Sequence, residues 1–267
     1  MGKKPEKHQW ANDYFKAALD NMDRLLQVIR LSRQGIRTIP AMPQVIKVLG
    51  NGEDELERAE HRAELAQAEI DRKFSTLLGF GTVALWSWLE TLVLDFVVLS
   101  IERRPASIKS LKAPKVRIDI AEYAQMRGRA RAQFITELID RELGGPLRNG
   151  MGRFDGLLEA IGMNVPLEDH YRRDIFELQQ VRNCLSHRLG IVDARLAAAC
   201  PWLKLKVGKP LSVSWGDFIR YGDACAQYLL LMLYEVGDLL GYDYRAKGEA
   251  DAQSRKDEVE KSRAEQE

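Results

Sequence analysis

Tyr14, Ala18, Met22, Leu25 and Ile29 recur at steps of three and four, with lysine, aspartate and arginine opposite them. That spacing predicts an amphipathic helix over 8–33. Gly35, Pro40 and Pro43 interrupt the pattern and predict a loop over 34–44. A short apolar segment, Val45 to Leu49, then runs into the turn signal Gly50-Asn51-Gly52. From Glu53 the chain is highly charged and free of proline until Pro105. Leu56, Ala59, Ala63, Ala66, Ile70 and Leu77 form a narrow heptad-like seam along it. Such a seam rests either on its own domain or on a helix of another molecule. After Phe74 nearly every position is apolar, with Gly79 and Gly81 as the expected break. A buried helix over 82–101 is predicted, carrying Trp86, Trp88, Leu89, Leu92, Phe96 and Leu99, with Glu90 and Asp95 as its only acids. A buried acid needs a hydrogen-bonding or cationic partner.

Further along, Ile118 onward returns to helical spacing through Phe134, Leu138 and Ile139, and Gly144-Gly145-Pro146 stops it. A short helix is predicted from Phe154 to Ile161. The next, from Asp169 to Leu189, places Tyr171, Ile175, Leu178, Leu185 and Leu189 on one face. Arg182 occupies the position on that stripe where an apolar side chain belongs. An unpaired guanidinium there costs several kcal/mol (of order ~3 or more), so a partner such as Glu90 or Asp95 is required. Residues 203–207 and 211–214 alternate about Gly208-Lys209-Pro210 and predict a small β-hairpin. Ser214 and Asp217 then read as the start of a long core helix over 215–240. Beyond Ala246 only Val259 among the remaining residues is a bulky aliphatic, which predicts a disordered or frayed tail.

Composition narrows the field. A chain of 267 residues, 45% hydrophobic and 30% charged, is that of an ordinary soluble globular protein, and a net charge of +1 exerts no global pull on polyanions. Any such partner must meet a local patch. One exists over 103–131, where Arg103, Arg104, Lys109, Lys112, Lys115, Arg117, Arg127, Arg129 and Arg131 face only Asp119 and Glu122, a local net of +7. It is either a solvated face or a track for a phosphate backbone. Cys184, Cys200 and Cys225 are odd in number and form no Cys-x-x-Cys pair, and so read as reduced core thiols of a cytosolic protein. The glycines at 144–152 lack a preceding strand and a following Gly-Lys-Ser/Thr, which excludes a P-loop. The run Phe74 to Ile101 is long enough to cross a bilayer, but Glu90 and Asp95 fall inside it, and a core helix is the expected reading over a membrane-associated one.

Arg182 and His187 together suit metal-free RNA cleavage. A base takes the 2′-hydroxyl proton, that oxygen attacks phosphorus, arginine stabilises the phosphoryl oxygens, and an acid protonates the departing 5′-oxygen. Asn183, one turn from His187, is placed to orient its ring. A step of five turns His187 about 140° away from Arg182 on a helix, so the pair flanks a cleft rather than sharing a face. A two-fold dimer supplies the second proton-transfer group.

The stretch Glu177-Leu-Gln-Gln-Val-Arg182-Asn183-Cys-Leu-Ser-His187-Arg-Leu-Gly190 resembles the signature of HEPN domains, in which Arg, often followed by Asn, precedes a His by four to six residues. Trp86-x-x-x-Glu90 resembles that family's first core helix, and the resemblance covers roughly 75–240. It implies an all-α HEPN-like bundle (74–243) with an N-terminal helical extension (1–73), a small β-hairpin before the last core helix, and a charged tail (244–267). It also implies a cytoplasmic homodimer built around the motif helix, without metal or cofactor. The function it implies is a metal-independent endoribonuclease in a toxin–antitoxin or anti-phage setting. RNA and an antitoxin or defence protein are the implied partners, with no membrane. Arg182, His187, Asn183 and Glu90 are the implied catalytic set. The alternative is a non-catalytic module of the same fold that binds RNA or a protein. Leu189 stands where some such toxins carry a regulatory Tyr, and Glu90 is assigned by its helix context alone.

Overall fold

The computed structural model describes residues 8–50, 52–104, 120–143 and 151–246. Ten α-helices carry these residues: α1 (Gln9–Thr38), α2 (Met42–Leu49), α3 (Glu53–Asp71), α4 (Ser75–Arg103), α5 (Ile120–Gln125), α6 (Gly128–Glu142), α7 (Met151–Ala160), α8 (Asp169–His187), α9 (Ala194–Ala199) and α10 (Trp215–Leu240). The fold is all-α, and no strand occurs among the described residues.

Helix α4 is the centre. It packs against α1, α6, α7, α8 and α10, and Leu78, Leu85, Leu89, Val93, Phe96 and Val97 are fully buried on it. It is long and apolar enough to cross a membrane, and 56% of its most apolar window is buried inside the bundle. Helix α1 shares the same core, since the Phe15 ring packs tilted against that of Phe96, with centroids 5.0 Å apart, and the Tyr14 hydroxyl donates to the Leu92 carbonyl. Helix α1 thus packs against both α4 and α10.

Several expected boundaries move. The loop over 34–44 is helical instead. Helix α1 continues through Gly35 to Thr38, and a 3-10 turn, Ile39–Ala41, leads into α2. Pro40 and Pro43 occupy first-turn positions, where the missing N–H costs nothing, and Gly35 in a helix interior costs only about 1 kcal/mol. The break before the buried helix lies at Lys73 and Phe74, not at Gly79 and Gly81. Both residues are left-handed (φ 56° and 63°), and buried Phe74 is held under the Arg33 and Arg37 guanidiniums. The two glycines lie inside α4, and Gly81 lets the Phe218 ring approach the backbone.

The hairpin is also absent. Residues 208–211 pair with 190–192 instead: the Val192 amide donates to the Lys209 carbonyl at 2.9 Å, Gly208 to Val192 at 2.8 Å and Leu211 to Gly190 at 2.7 Å. A single antiparallel bridge, Ile191 to Pro210, is all the β character there. Pro210 has no N–H to donate, and the stretch before it is taken up by the 3-10 turn Pro201–Leu203 and a left-handed Lys204. By contrast α10 begins and ends as expected, on a capping box between Ser214 and Asp217 and on a left-handed Gly241. The tail beyond Ala246 lies outside the described residues. Its described start is ordered against α1, because buried Tyr244 donates its hydroxyl to the His8 carbonyl at 2.8 Å.

Candidate functional site

Helix α8 is clamped between α4 and α10, which gives it two buried sides rather than one stripe. Ile175 and Leu178 are fully buried as the spacing requires, and so are Val181 and Cys184. The helix stops at His187 instead of Leu189. Arg188 and Gly190 both donate backbone N–H groups to the Cys184 carbonyl, at 3.0 and 3.2 Å, and Leu189 adopts φ 52° and is 94% exposed. The last member of the expected apolar face is therefore a solvent-exposed turn residue.

Arg182 is three-quarters buried, and its Nη2 lies 3.8 Å from Glu90 Oε2 on α4. Its Nη1 donates to Asn183 Oδ1 at 3.0 Å. Among the described residues its Nε is buried without a hydrogen-bond partner. Glu90 is shared. Its other oxygen accepts a tighter bond from Arg153 on α7, which also makes a two-pronged bond to Asp140 on α6 at 2.7 and 2.8 Å. The Asp140 hydrogen bonds hold the Arg153 guanidinium more firmly protonated, against the opposing effect of burial, and Glu90 adds to this. Thus Glu90 reaches Arg182 as the residue patterns suggested, while Arg153 and Asp140 complete a chain of alternating charge. Asp95, the other acid of α4, binds Arg129 at 2.7 Å near the surface.

His187 is exposed at the end of α8 and opens onto a cleft of about 500 Å³, lined also by Gln180, Asn183, Arg188, Asp193 and Arg195. Arg182 does not line this cleft, in keeping with the wide angle between the two residues along the helix. Asn183 braces Arg182 rather than orienting the His187 ring; no hydrogen bond joins Asn183 to His187 among the described residues. Asp193 caps α9 by accepting from the Leu196 amide at 2.8 Å and pairs with Arg188 at 3.3 Å, which fixes one wall of the cleft. Arg188 and Arg195 put positive charge beside His187, and neither stood out in the residue pattern.

Of the basic stretch, Arg103 and Arg127 are exposed, Arg129 is bound to Asp95, and Arg131 lies over the Tyr123 ring and donates to its hydroxyl at 2.8 Å. Burial lowers the pKa of half-buried Arg104 from its ordinary value. Lys109, Lys112, Lys115 and Arg117 lie outside the described residues.

On its other side, α8 carries a second polar cluster. Buried Asp174 and Glu177 both bind Arg220 of α10, while Glu177 also accepts from the Tyr221 hydroxyl at 2.7 Å and from the Trp202 indole. Asp217 joins at 3.2 Å. Burial pushes the Tyr221 hydroxyl pKa far above its ordinary value, and Glu177 pushes it further, so Tyr221 remains a hydrogen-bond donor. A spacing of three between Asp174 and Glu177, with an arginine inside an apolar helix, was the available signal. Among the described residues no group of three or more His, Cys, Asp or Glu is arranged to hold a metal ion.

No family model, curated protein or solved structure matches the chain.

Proposed function

We propose that the chain is a HEPN-type, metal-independent endoribonuclease that acts in the cytoplasm in a toxin–antitoxin or anti-phage setting, as a homodimer through α8. One observation carries the reading. A three-quarters-buried arginine, restrained by Glu90 and Asn183, retains an unfilled donor beside a motif whose histidine opens onto a cleft rimmed by Arg188 and Arg195. A fixed arginine costs little reorganisation when negative charge develops on a phosphoryl group. His187 of one copy takes the 2′-hydroxyl proton and His187 of the second protonates the leaving oxygen, so the reaction needs no metal. RNA is the substrate, and the exposed part of 103–131 contributes to its path.

A second reading, a non-catalytic module of this fold that binds RNA or a protein, is favoured by the divergence of Arg182 from the His187 cleft within one chain. The test is incubation of purified protein with total RNA in EDTA, beside His187→Ala and Arg182→Ala. Cleavage by wild type and its loss in both variants supports the nuclease. Intact RNA in all three samples, with retained RNA binding, supports the module.

A further inference from the structure

The seam Leu56, Ala59, Ala63, Ala66 and Ile70 of α3 is turned inward, half-buried or buried, against α2, the 3-10 turn and α1. A different stripe, of α3 and its C-cap residue Arg72, is left outward. Glu55, Arg58, Arg62, Leu65, Glu69 and Arg72 follow at steps of three, four, three, four and three, which puts them in one row. All are exposed except half-buried Glu69, and Leu65 is 61% exposed. The row borders an apolar groove of about 530 Å³ whose walls include Ile36, Ile39, Met42 and Ile46, with Leu65 at its rim between Arg62 and Glu69.

The order of charges along this row complements itself. Laid antiparallel on a copy of itself, with the two-fold axis between Ala63 and Glu64, Glu55 meets Arg72, Arg58 meets Glu69, and Arg62 meets Leu65. Each pairing occurs twice by symmetry. No like charges of the row oppose one another. The arginine stem of Arg62 is apolar enough to cover a leucine.

We propose that α3 docks antiparallel against α3 of a second copy of this chain, so that Leu65 of each copy seats at the mouth of the other's groove. The occupant is a second copy because a charge order with internal two-fold complementarity matches itself. Leu65 and the groove supply the buried apolar surface, while the exposed ion pairs, individually weak, set direction and register. The contact involves neither Arg182 nor His187, and it stands or falls apart from the ribonuclease reading.

Charge reversal provides the test. Sedimentation velocity is run on the full chain as wild type, Leu65→Glu, Glu55→Arg and Arg72→Glu, and on an equimolar mixture of the last two, with circular dichroism to confirm the fold. Association that survives Leu65→Glu belongs to another face and is the baseline. Each single reversal weakens the wild-type association above that baseline by about tenfold, since two symmetric pairs become repulsive at once. The mixture recovers it, because both pairs are opposite in sign again in the mixed dimer. Differently tagged Arg62→Cys and Leu65→Cys chains, exposed positions whose replacement leaves the fold alone, give a mixed disulfide on oxidation in preference to either like pair. Wild type indistinguishable from Leu65→Glu, a mixture no stronger than its components, or no preference for the mixed disulfide overturns the proposal.

Discussion

Arg182 and Glu90 meet across the α4–α8 contact at 3.8 Å, but Glu90 accepts its closer bond from Arg153. One carboxylate therefore compensates two guanidiniums that are each about a quarter exposed, with Asp140 sharing the load on Arg153. Glu90→Gln keeps the shape and removes the charge. The expected cost is about 1–2 kcal/mol, less than for a fully buried pair because both arginines keep some water contact. It is read as a lower urea midpoint at unchanged slope. A double-mutant cycle with Arg153→Met couples more strongly than one with Arg182→Met. Equal couplings, or a larger one for Arg182, would reverse the assignment of Glu90.

Gly79 and Gly81, two residues apart in α4, respond oppositely to alanine. A Cβ at Gly81 would stand 2.9 Å from the Phe218 ring and 3.2 Å from Ile29 Cδ1, so the core must shift. The expected loss is about 1–3 kcal/mol. At Gly79 the nearest atom is Leu185 Cδ2 at 3.6 Å, an ordinary contact. Gly79→Ala therefore stabilises by about 0.5–1 kcal/mol through the entropy of the unfolded chain and helix propensity. Thermal unfolding of both variants checks the pair.

How far the sequence could be read follows from the range of the interactions. The start of helix α10 was legible because the Ser214–Asp217 capping pair acts locally, and the expected span 215–240 matches the observed Trp215–Leu240. The burial of Ile175 and Leu178 and the need of Arg182 for an acid were legible because a 3.6-residue period and an unpaired charge are local conflicts too. The end of α8 was not, since Leu189 takes a left-handed turn that no leucine advertises. The alternation at 203–207 gave a hairpin signal, yet the partner of 208–211 is the segment 190–192. Arg153 and the Glu177–Arg220 cluster were missed because tertiary packing alone decides which cation a buried acid meets. Arg195 reaches the site through the packing of α9 on α8, a tertiary contact that the local pattern does not carry.

The three cysteines are free and buried, and each thiol is held in its protonated form. Burial, with a further contribution from Glu177, pushes Cys200 up to about 12. Burial likewise raises Cys184 and Cys225. Thiolates are the reactive species, so native protein at pH 8 reacts with an aromatic disulfide reagent only as fast as it opens. In denaturant all three titrate at once. Prompt labelling of one thiol in the native state would show that its segment opens locally.

Asp217 gives α10 an acid-sensitive start. Burial alone would raise its carboxyl pKa, but the hydrogen bonds from Ser214 and then the Arg220 guanidinium outweigh it and hold Asp217 below its ordinary value. A carboxyl with a depressed folded pKa contributes stability above its unfolded pKa of about 4 and loses it as pH falls through the folded value. Asp217→Asn therefore lowers the urea midpoint at pH 7, and the gap to wild type narrows as pH falls below about 4. Ser214→Ala, which removes the cap partner, costs about 1 kcal/mol at neutral pH and weakens the same acid dependence. A gap between wild type and Asp217→Asn that stays constant from pH 7 to pH 3 would mean that Asp217 acts through its shape and not its charge.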